Sequence, residues 1–511
     1  MPTTSATTAT RPEDERLPIG RSFMYGLQHV LTMYGGVIAV PLIVGQAAGL
    51  EPGEVAVLVA SALFVGGAAT ILQSWGVPFF GSRLPLVQGV SFAGVATMLA
   101  ILAGGGGFPA VIGAVIVAGA VGLIAAPFFA QIIHFFPPVV TGVVITTIGL
   151  TLMPVAAGWA MGGDAEAPDY GSTANIGLAF LTFVVVLALS KVGVASISRL
   201  SILLAIIVGT LVAAALGMTD FSGVGDGAVV AVPQIFAFGM PTFEAAAIIS
   251  MVIVVLVTMT ETTADILAVG EIIGTKVDSK RIADGLRADM LSSTVAPVFN
   301  SFTQTAFAQN VGLVAITGIR SRFVVSAGGL IMVVLGLLPV LGRVVAAIPS
   351  PVLGGAGVVL FGTVAAAGIR TLAKVDYEGN MNLVIVASSL AFGMIPIVAP
   401  TFYDGFPDWF TTIFHSGISS AAVMAVLLNL VFNHLRAGTP ERPSVFAARG
   451  VRYIGPEVLD ALEDGDHVRD GKLVDAAGTE VPIVAEETPD DLGERHERAH
   501  RHDGEESGRR D

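Results

Sequence analysis

Charge is what this chain of 511 residues has least of: 13% of its residues are Asp, Glu, Lys or Arg, against about 25% in a soluble globular chain. A soluble surface of this size cannot be built with so little charge. Cysteine is absent, which excludes a disulfide framework, a thiolate metal site and a cysteine nucleophile. Basic charge is also scarce, with five lysines in the chain and a formal net charge of −14, so no basic face for nucleic acid is expected. Met1 to Pro18 is Thr-rich and mixed in charge with no apolar core before Ile19, unlike a cleaved signal peptide.

What is present is hydrophobic: 53% of residues, with a mean hydropathy of +0.79. The charges gather at the end. Ala437 to Asp511 carries 10 Lys+Arg and 19 Asp+Glu, a net of −9. An all-α polytopic membrane body followed by an acidic tail is therefore expected. The division is an N-terminal segment 1–18, a body 19–436 and a tail 437–511, the tail largely disordered apart from a helix or turn at Pro456 to Leu462. Its His467, His496, His500 and His502 lack recognised metal-ligand spacing, and no metal or cofactor site is expected.

Fourteen apolar segments read as membrane spans, at about 22–46, 53–75, 85–103, 108–130, 136–158, 174–191, 199–218, 243–274, 288–303, 305–318, 323–342, 350–372, 381–399 and 416–435. Spans three, nine and ten are short or broken by Gly, Gln, Asn and Thr, which at membrane depth is tolerated only where protein or a water-filled cavity covers the backbone. If the N-terminus is cytoplasmic, the even-numbered connections hold or adjoin eleven basic residues and the odd-numbered ones a single one, Arg343. That asymmetry predicts both termini in the cytoplasm. The chain also resembles itself. Pro138 to Gly142 aligns with Pro351 to Gly355 at an offset of 213, and Gln88-Gly89-Val90 with Gln309-Asn310-Val311 at 221. Spans five and twelve, and three and ten, thus pair seven spans apart. An odd spacing inverts the second unit, predicting two inverted seven-span repeats whose broken segments meet near the midplane, a secondary-transporter design.

Glu261 lies deep in span eight, where a carboxylate costs about 2.5–3.5 kcal/mol at the bilayer centre and by default marks a pathway or proton relay. Asp265 follows four residues later on the same helical face, and no Lys or Arg occurs between Arg199 and Lys276. Asp289 reads as opening span nine, where either a functional carboxylate or an ordinary helix-terminal acid is expected. Gln309 and Asn310 offer adjacent amides suited to a planar, neutral, heteroatom-rich solute, or alternatively brace a broken helix. His29 in span one is a structural candidate.

The stretch Gln309-Asn310-Val311-Gly312-Leu313-Val314-Ala315-Ile316-Thr317-Gly318 resembles the signature of the nucleobase–ascorbate transporter (nucleobase:cation symporter) family. Leu27-Gln28-His29, Gln88 to Phe92, Glu261-Thr262 with Asp265, and Leu286 to Asp289 with Phe299 to Phe302 are similar to further motifs of that family, over about residues 20–436. The resemblance implies a core domain of spans one to four and eight to eleven (about 19–130 and 243–342) and a gate domain of spans five to seven and twelve to fourteen (about 136–218 and 350–436). It also implies a homodimer packed through the gates. By likeness Glu261 would bond the base ring, Gln309 would contact substrate, and Asn310 would hold the site's geometry, with Ser91, Phe92 and nearby main chain facing the ligand. Asp289 and Asp265 would be linked to the proton, and His29, Gly312 and Thr317 would be structural. Uracil permeases tend to carry Glu at the start of the signature, Arg at its end and His after the span-eight Glu; Gln309, Gly318 and Asp265 resemble the xanthine and uric acid branch instead. Met290 and Thr303 stand where the family tends to have Gly and Pro.

The reading is a multi-pass plasma-membrane symporter, not an enzyme, that imports a purine base, xanthine or uric acid, with protons by alternating access. Sodium coupling is also open, since carboxylates serve both ions. The alternatives are a uracil or other pyrimidine permease of the same fold, and an anion exchanger or channel.

Overall fold

The computed structural model describes residues 11–129, 136–378, 380–435, 467–469 and 472–474. Two units separate, Met1–Ala448 and Arg449–Asp511. The first is a helical membrane body. Among the described residues, eight helices are long and apolar enough to cross a bilayer: Ile19–Ala47, Pro52–Trp75, Gly107–Phe128, Pro138–Met161, Thr173–Lys191, Ala245–Ile273, Ser350–Leu372 and Gly417–His434. A ninth is available if Arg322–Gly336 and Pro339–Ala346, bent by 79°, count as one. Four shorter apolar helices, Phe92–Ala103, Ser201–Ala215, Ala308–Thr317 and Asn382–Val398, fall at spans three, seven, ten and thirteen. Length and composition therefore support eight or nine crossings, fewer than the fourteen segments read from hydropathy.

Span nine differs from expectation. Its helix runs Ser279–Val295, nine residues earlier than the apolar stretch begins. Asp278 caps it, its Oδ1 accepting from Arg281 N at 2.8 Å. A short 3-10 turn, Ala296–Phe299, follows, and Asn300 ends the element in the left-handed region at φ +59. Asn tolerates that conformation, and here its side chain also accepts from Ala237 N at 2.8 Å and donates to Gln234 O at 2.6 Å. Asp289 is consequently mid-helix and 1% exposed, not at a helix start.

Spans three and ten are built alike. Strand β1 (Gln88–Val90) leads through Ser91 into the helix of span three, and β2 (Gln304–Ala306) leads through Phe307 into that of span ten. The strands pair antiparallel, Gln88 opposite Ala306 and Val90 opposite Gln304. Ser91 N donating to Thr303 O (2.8 Å) and Phe307 N to Val87 O (3.0 Å) extend the ladder at both ends. The sequence alignment of Gln88–Val90 with Gln309–Val311 is thereby corrected. The structural counterpart of the first strand is Gln304–Ala306, whereas Gln309 to Val311 is helical.

The helices approach closely wherever glycines face one another's backbones. A Cβ on Gly149 would stand 2.3 Å from Ala365 N, and one on Gly368 2.2 Å from Thr146 N, so the self-similar spans five and twelve pack against each other through small residues. Met290 is accommodated by Gly122 of span four, whose added Cβ would lie 2.5 Å from the Met290 sulfur.

Ion pairs tie the N-terminal segment to the body. Residues Pro12–Asp14 form a 3-10 turn that is held by ion pairs: Arg281 to the buried Glu13 at 2.6 Å, and Arg322 to Asp14 at 2.7 Å. The same arginines donate to main-chain carbonyls at the end of span two and in the turn beyond it, Arg281 to Ser82 and Arg83 and Arg322 to Ser74 and Trp75.

In the second unit, β3 (His467–Arg469) and β4 (Lys472–Val474) pair antiparallel. Asp470-Gly471, a dipeptide favoured in short hairpins, separates them in sequence. The helix or turn expected at Pro456 to Leu462 lies outside the described residues.

Gly149→Ala and Gly368→Ala should each cost about 1–3 kcal/mol through overpacking, read as a lower melting temperature of the detergent-solubilised protein. Gly177→Ala, where an added Cβ meets nothing within 4 Å, should leave it unchanged. Equal behaviour of the three would contradict this packing.

Candidate functional site

The paired strands create a polar layer where the two broken spans meet. Thr70 of span two braces β1: its hydroxyl accepts from Gln88 N at 2.9 Å and donates toward Gly66 O at 2.7 Å. Ser293 of span nine does the same for β2, accepting from Gln304 N at 2.9 Å. Thr262, next to Glu261 in span eight, donates to Asp289 Oδ2 at 2.5 Å and accepts from Ala306 N at 3.3 Å, with Thr305 Oγ1 3.2 Å away. Gln73 Nε2 donates to Asp289 Oδ1 at 3.3 Å, while Gln73 Oε1 accepts from Ser82 N. Asp289 is thus a buried carboxylate gripped by a hydroxyl and an amide and tied through Thr262 to the strand pair.

Glu261 and Asp265 lie one turn apart on the helix Ala245–Ile273 and are only partly buried. Asp265 has both Glu261 and Asp289 as electrostatic neighbours, and no Lys or Arg occurs in the sequence between Arg199 and Lys276. Neighbouring carboxylates outside bulk water make a bound proton a means of relieving their repulsion.

Asn310 is buried and points to span one: its Nδ2 donates to His29 O at 3.0 Å and lies 3.1 Å from His29 Nδ1. The two residues lock the start of the span-ten half-helix to span one. Its neighbour Gln309 turns the other way, exposed, onto a cavity of about 270 Å³. Spans one and ten form one wall of that cavity, with Thr32, Gly36, Phe307, Gln309 and Gly312. Segments around spans seven and twelve form the other, with Arg199, Ile202, Leu203, Leu360 and Thr363. Gly312 has open space where a Cβ would sit, so it keeps the cavity clear and does not serve a tight helix contact. Gly36 and Gly89 serve close packing instead, since a Cβ on either would come within 3 Å of the Phe307 ring. Thr317 ends the half-helix, its hydroxyl donating to Leu313 O at 2.7 Å and accepting from Ile319 N, ahead of Gly318 at φ +66.

Ser91 is buried and spends its hydroxyl oxygen as an acceptor for Ala93 N at 3.2 Å. Phe92, partly buried, meets the Phe361 ring edge-on at 6.0 Å. The structure therefore joins Asp289 with Asp265 and Glu261, and Asn310 with His29. Gln309 and Gly312 line the cavity, whereas Glu261, Asp265, Ser91 and Phe92 are not among its lining residues. Gln73, Thr262, Thr70 and Arg199 were missed by sequence reasoning. Gln73, an amide inside the apolar run of span two, carried the same signal as the buried carboxylates. Arg199 read only as a basic loop residue.

Residues 20–402 match the model of the Permease family, Xan_ur_permease. The chain is 40% identical over 429 residues to the uric acid transporter UacT of Escherichia coli, covering 83% of this chain and 89% of that one. It is 41% identical over 414 residues to the xanthine permease of Bacillus subtilis, covering 81% and 94%. Among solved structures, the transmembrane domain of a cyanobacterium bicarbonate transporter BicA matches with a TM-score of 0.53 at 15% identity, over 80% of this chain and 97% of that one. SLC26A9 matches with a TM-score of 0.55 at 13% identity, over 81% and 66%; at these identities the likeness is one of fold. With its family profile spanning the body and its relatives matched over most of their length, this chain belongs to the Permease family.

Proposed function

We propose that this protein is a secondary active symporter that imports a purine nucleobase, xanthine or uric acid, across the plasma membrane with protons. The relatives named as uric acid and xanthine transporters at about 40% identity support the solute class. The observation that carries the mechanism is the joining of two broken spans by the β1–β2 ladder, beside a carboxylate cluster and a free amide on a cavity. Irregular backbone at membrane depth surrounded by protein is the setting in which secondary transporters bind solute.

In this reading Gln309 presents its amide to the base edge, and Asn310 keeps it there through His29. Glu261 takes a ring N–H, and Asp265 and Asp289 hold or pass the coupling proton, with Thr262 and Gln73 fixing the Asp289 carboxylate. Ser91 and Phe92 shape the span-three side. A core of spans one to four and eight to eleven moves against a gate of spans five to seven and twelve to fourteen, as two inverted seven-span repeats. Both termini face the cytoplasm, and the gates pair in a homodimer. The carboxylates of Glu261, Asp265 and Asp289 and the unengaged amide of Gln309 favour a base over a small inorganic anion.

Glu261→Gln should abolish concentrative uptake of radiolabelled xanthine and urate while the protein still reaches the membrane; normal accumulation by this variant would refute its assigned role. Thr262→Val should lower the maximal uptake rate by at least about tenfold, because the Asp289 carboxylate and Ala306 N–H both lose a partner, each worth about 1–3 kcal/mol. A rate within twofold of wild type would remove Thr262 from the coupling network. Gln309→Glu should change the order in which unlabelled bases compete, and an unaltered order would argue against contact between Gln309 and solute. A proton ionophore should collapse uptake and sodium removal should not; the reverse would reassign the coupling ion.

A further inference from the structure

The cavity beside Gln309 contains a charge that the proposed function has not used. Five arginines among the described residues are partly buried: Arg199, Arg281, Arg287, Arg322 and Arg343. Four of them are engaged. Arg281 pairs with Glu13, Arg287 with Asp284 and Arg322 with Asp14, while Arg343 donates to Val224 O and Ala228 O. Arg199 alone makes no hydrogen bond or ion pair to a described residue, and it is the one charged residue lining the cavity.

The other polar groups of that cavity are mostly occupied. Thr32 donates its hydroxyl to Gln28 O at 2.8 Å, and Thr363 to Leu360 O at 2.6 Å. That leaves Gln309 on one wall and Arg199 on the other as the lining residues whose polar side chains are unengaged among the described residues, across an otherwise apolar space of about 270 Å³, close to the lower end of small-ligand sites, about 300–1,000 Å³. A guanidinium is charged at every physiological pH, offers five donors in a planar fork and stacks on flat rings. In apolar surroundings its attraction for an anion is far less screened than in water. No carboxylate lines the cavity to cancel it, since the Glu261 and Asp265 cluster sits on span eight outside the lining.

We infer that Arg199 is a specificity-determining residue, which favours purines carrying a negative charge on the ring system over neutral purines in this cavity. The inference rests on the purine-transport reading and deepens it: it names the ionic class of solute that the pathway prefers. Urate is an anion near neutral pH, whereas xanthine slightly below neutral pH is predominantly uncharged, so the two differ in charge more than in shape. The Arg199 charge discriminates between them electrostatically, while Gln309 and the apolar walls treat both alike.

The test compares initial uptake rates of radiolabelled urate and xanthine, slightly below neutral pH, in cells carrying the full chain, Arg199→Gln or Arg199→Lys at matched membrane abundance. Arg199→Gln should raise the KM for urate about tenfold, equivalent to about 1.4 kcal/mol, and shift that for xanthine by less than about twofold. Arg199→Lys should keep most of the preference, because the charge remains. A parallel change for both solutes, or an unchanged urate KM in Arg199→Gln, overturns the inference. So does a wild-type protein that carries xanthine but refuses urate, which leaves the purine reading standing. Wild-type protein that carries neither base, despite reaching the membrane, instead sinks the purine reading on which the inference rests.

Discussion

The constraint on which this structure depends is that a polypeptide at membrane depth must satisfy its own hydrogen bonds, each unpaired group costing several kcal/mol. Continuous helices meet the requirement internally. Spans three and ten interrupt their helices, so each exposes N–H and C=O groups that need partners. The antiparallel pairing of Gln88–Val90 with Gln304–Ala306 supplies them, and Thr70 and Ser293 take up the groups that the short ladder leaves over. Once those strands are joined, the half-helix starting at Ala308 has a fixed origin, and Asn310 and Gln309 fall on opposite sides of it. The position of the amide on the cavity is thus a consequence of backbone accounting.

The same accounting links the strand pair to the carboxylates. Thr262 is shared: it serves the backbone at Ala306 and the side chain of Asp289 at once. A change in the ionisation of Asp289 alters what Thr262 can donate, and so reaches the ladder that holds both half-helices. Asp289 and the geometry of the broken spans are thus linked through one hydroxyl.

Much of this was legible in the sequence, for specific reasons. Hydropathy located each long helix to within a few residues, because lipid tolerates little else there. Glu261 and Asp265 stood out because a carboxylate in an apolar run is costly. The helix Ser279–Val295 was misread at its start because Lys280 to Arg287 is polar, and a search for apolar runs passes over it, although Asp278 is an ordinary N-cap. The strands were invisible because three residues carry no periodicity, and the repeat was aligned five residues off because Gln recurs at 304 and 309. Arg199 could not be singled out, since its significance lies in lacking a partner among the described residues, a property that only the fold reveals.

The N-terminal turn at Pro12–Asp14 has a consequence for how the body holds its shape. Through Glu13 and Asp14 it engages Arg281, ahead of Asp289, and Arg322, just after the signature helix, and both arginines also grip the chain around the end of span two. Elements far apart in sequence are therefore cross-linked by a few residues that precede the first hydrophobic segment. A chain beginning at Ile19 would keep its apolar segments but leave these two arginines without their carboxylates, so the hydrophilic leader acts as a tie-bar for the membrane-embedded part.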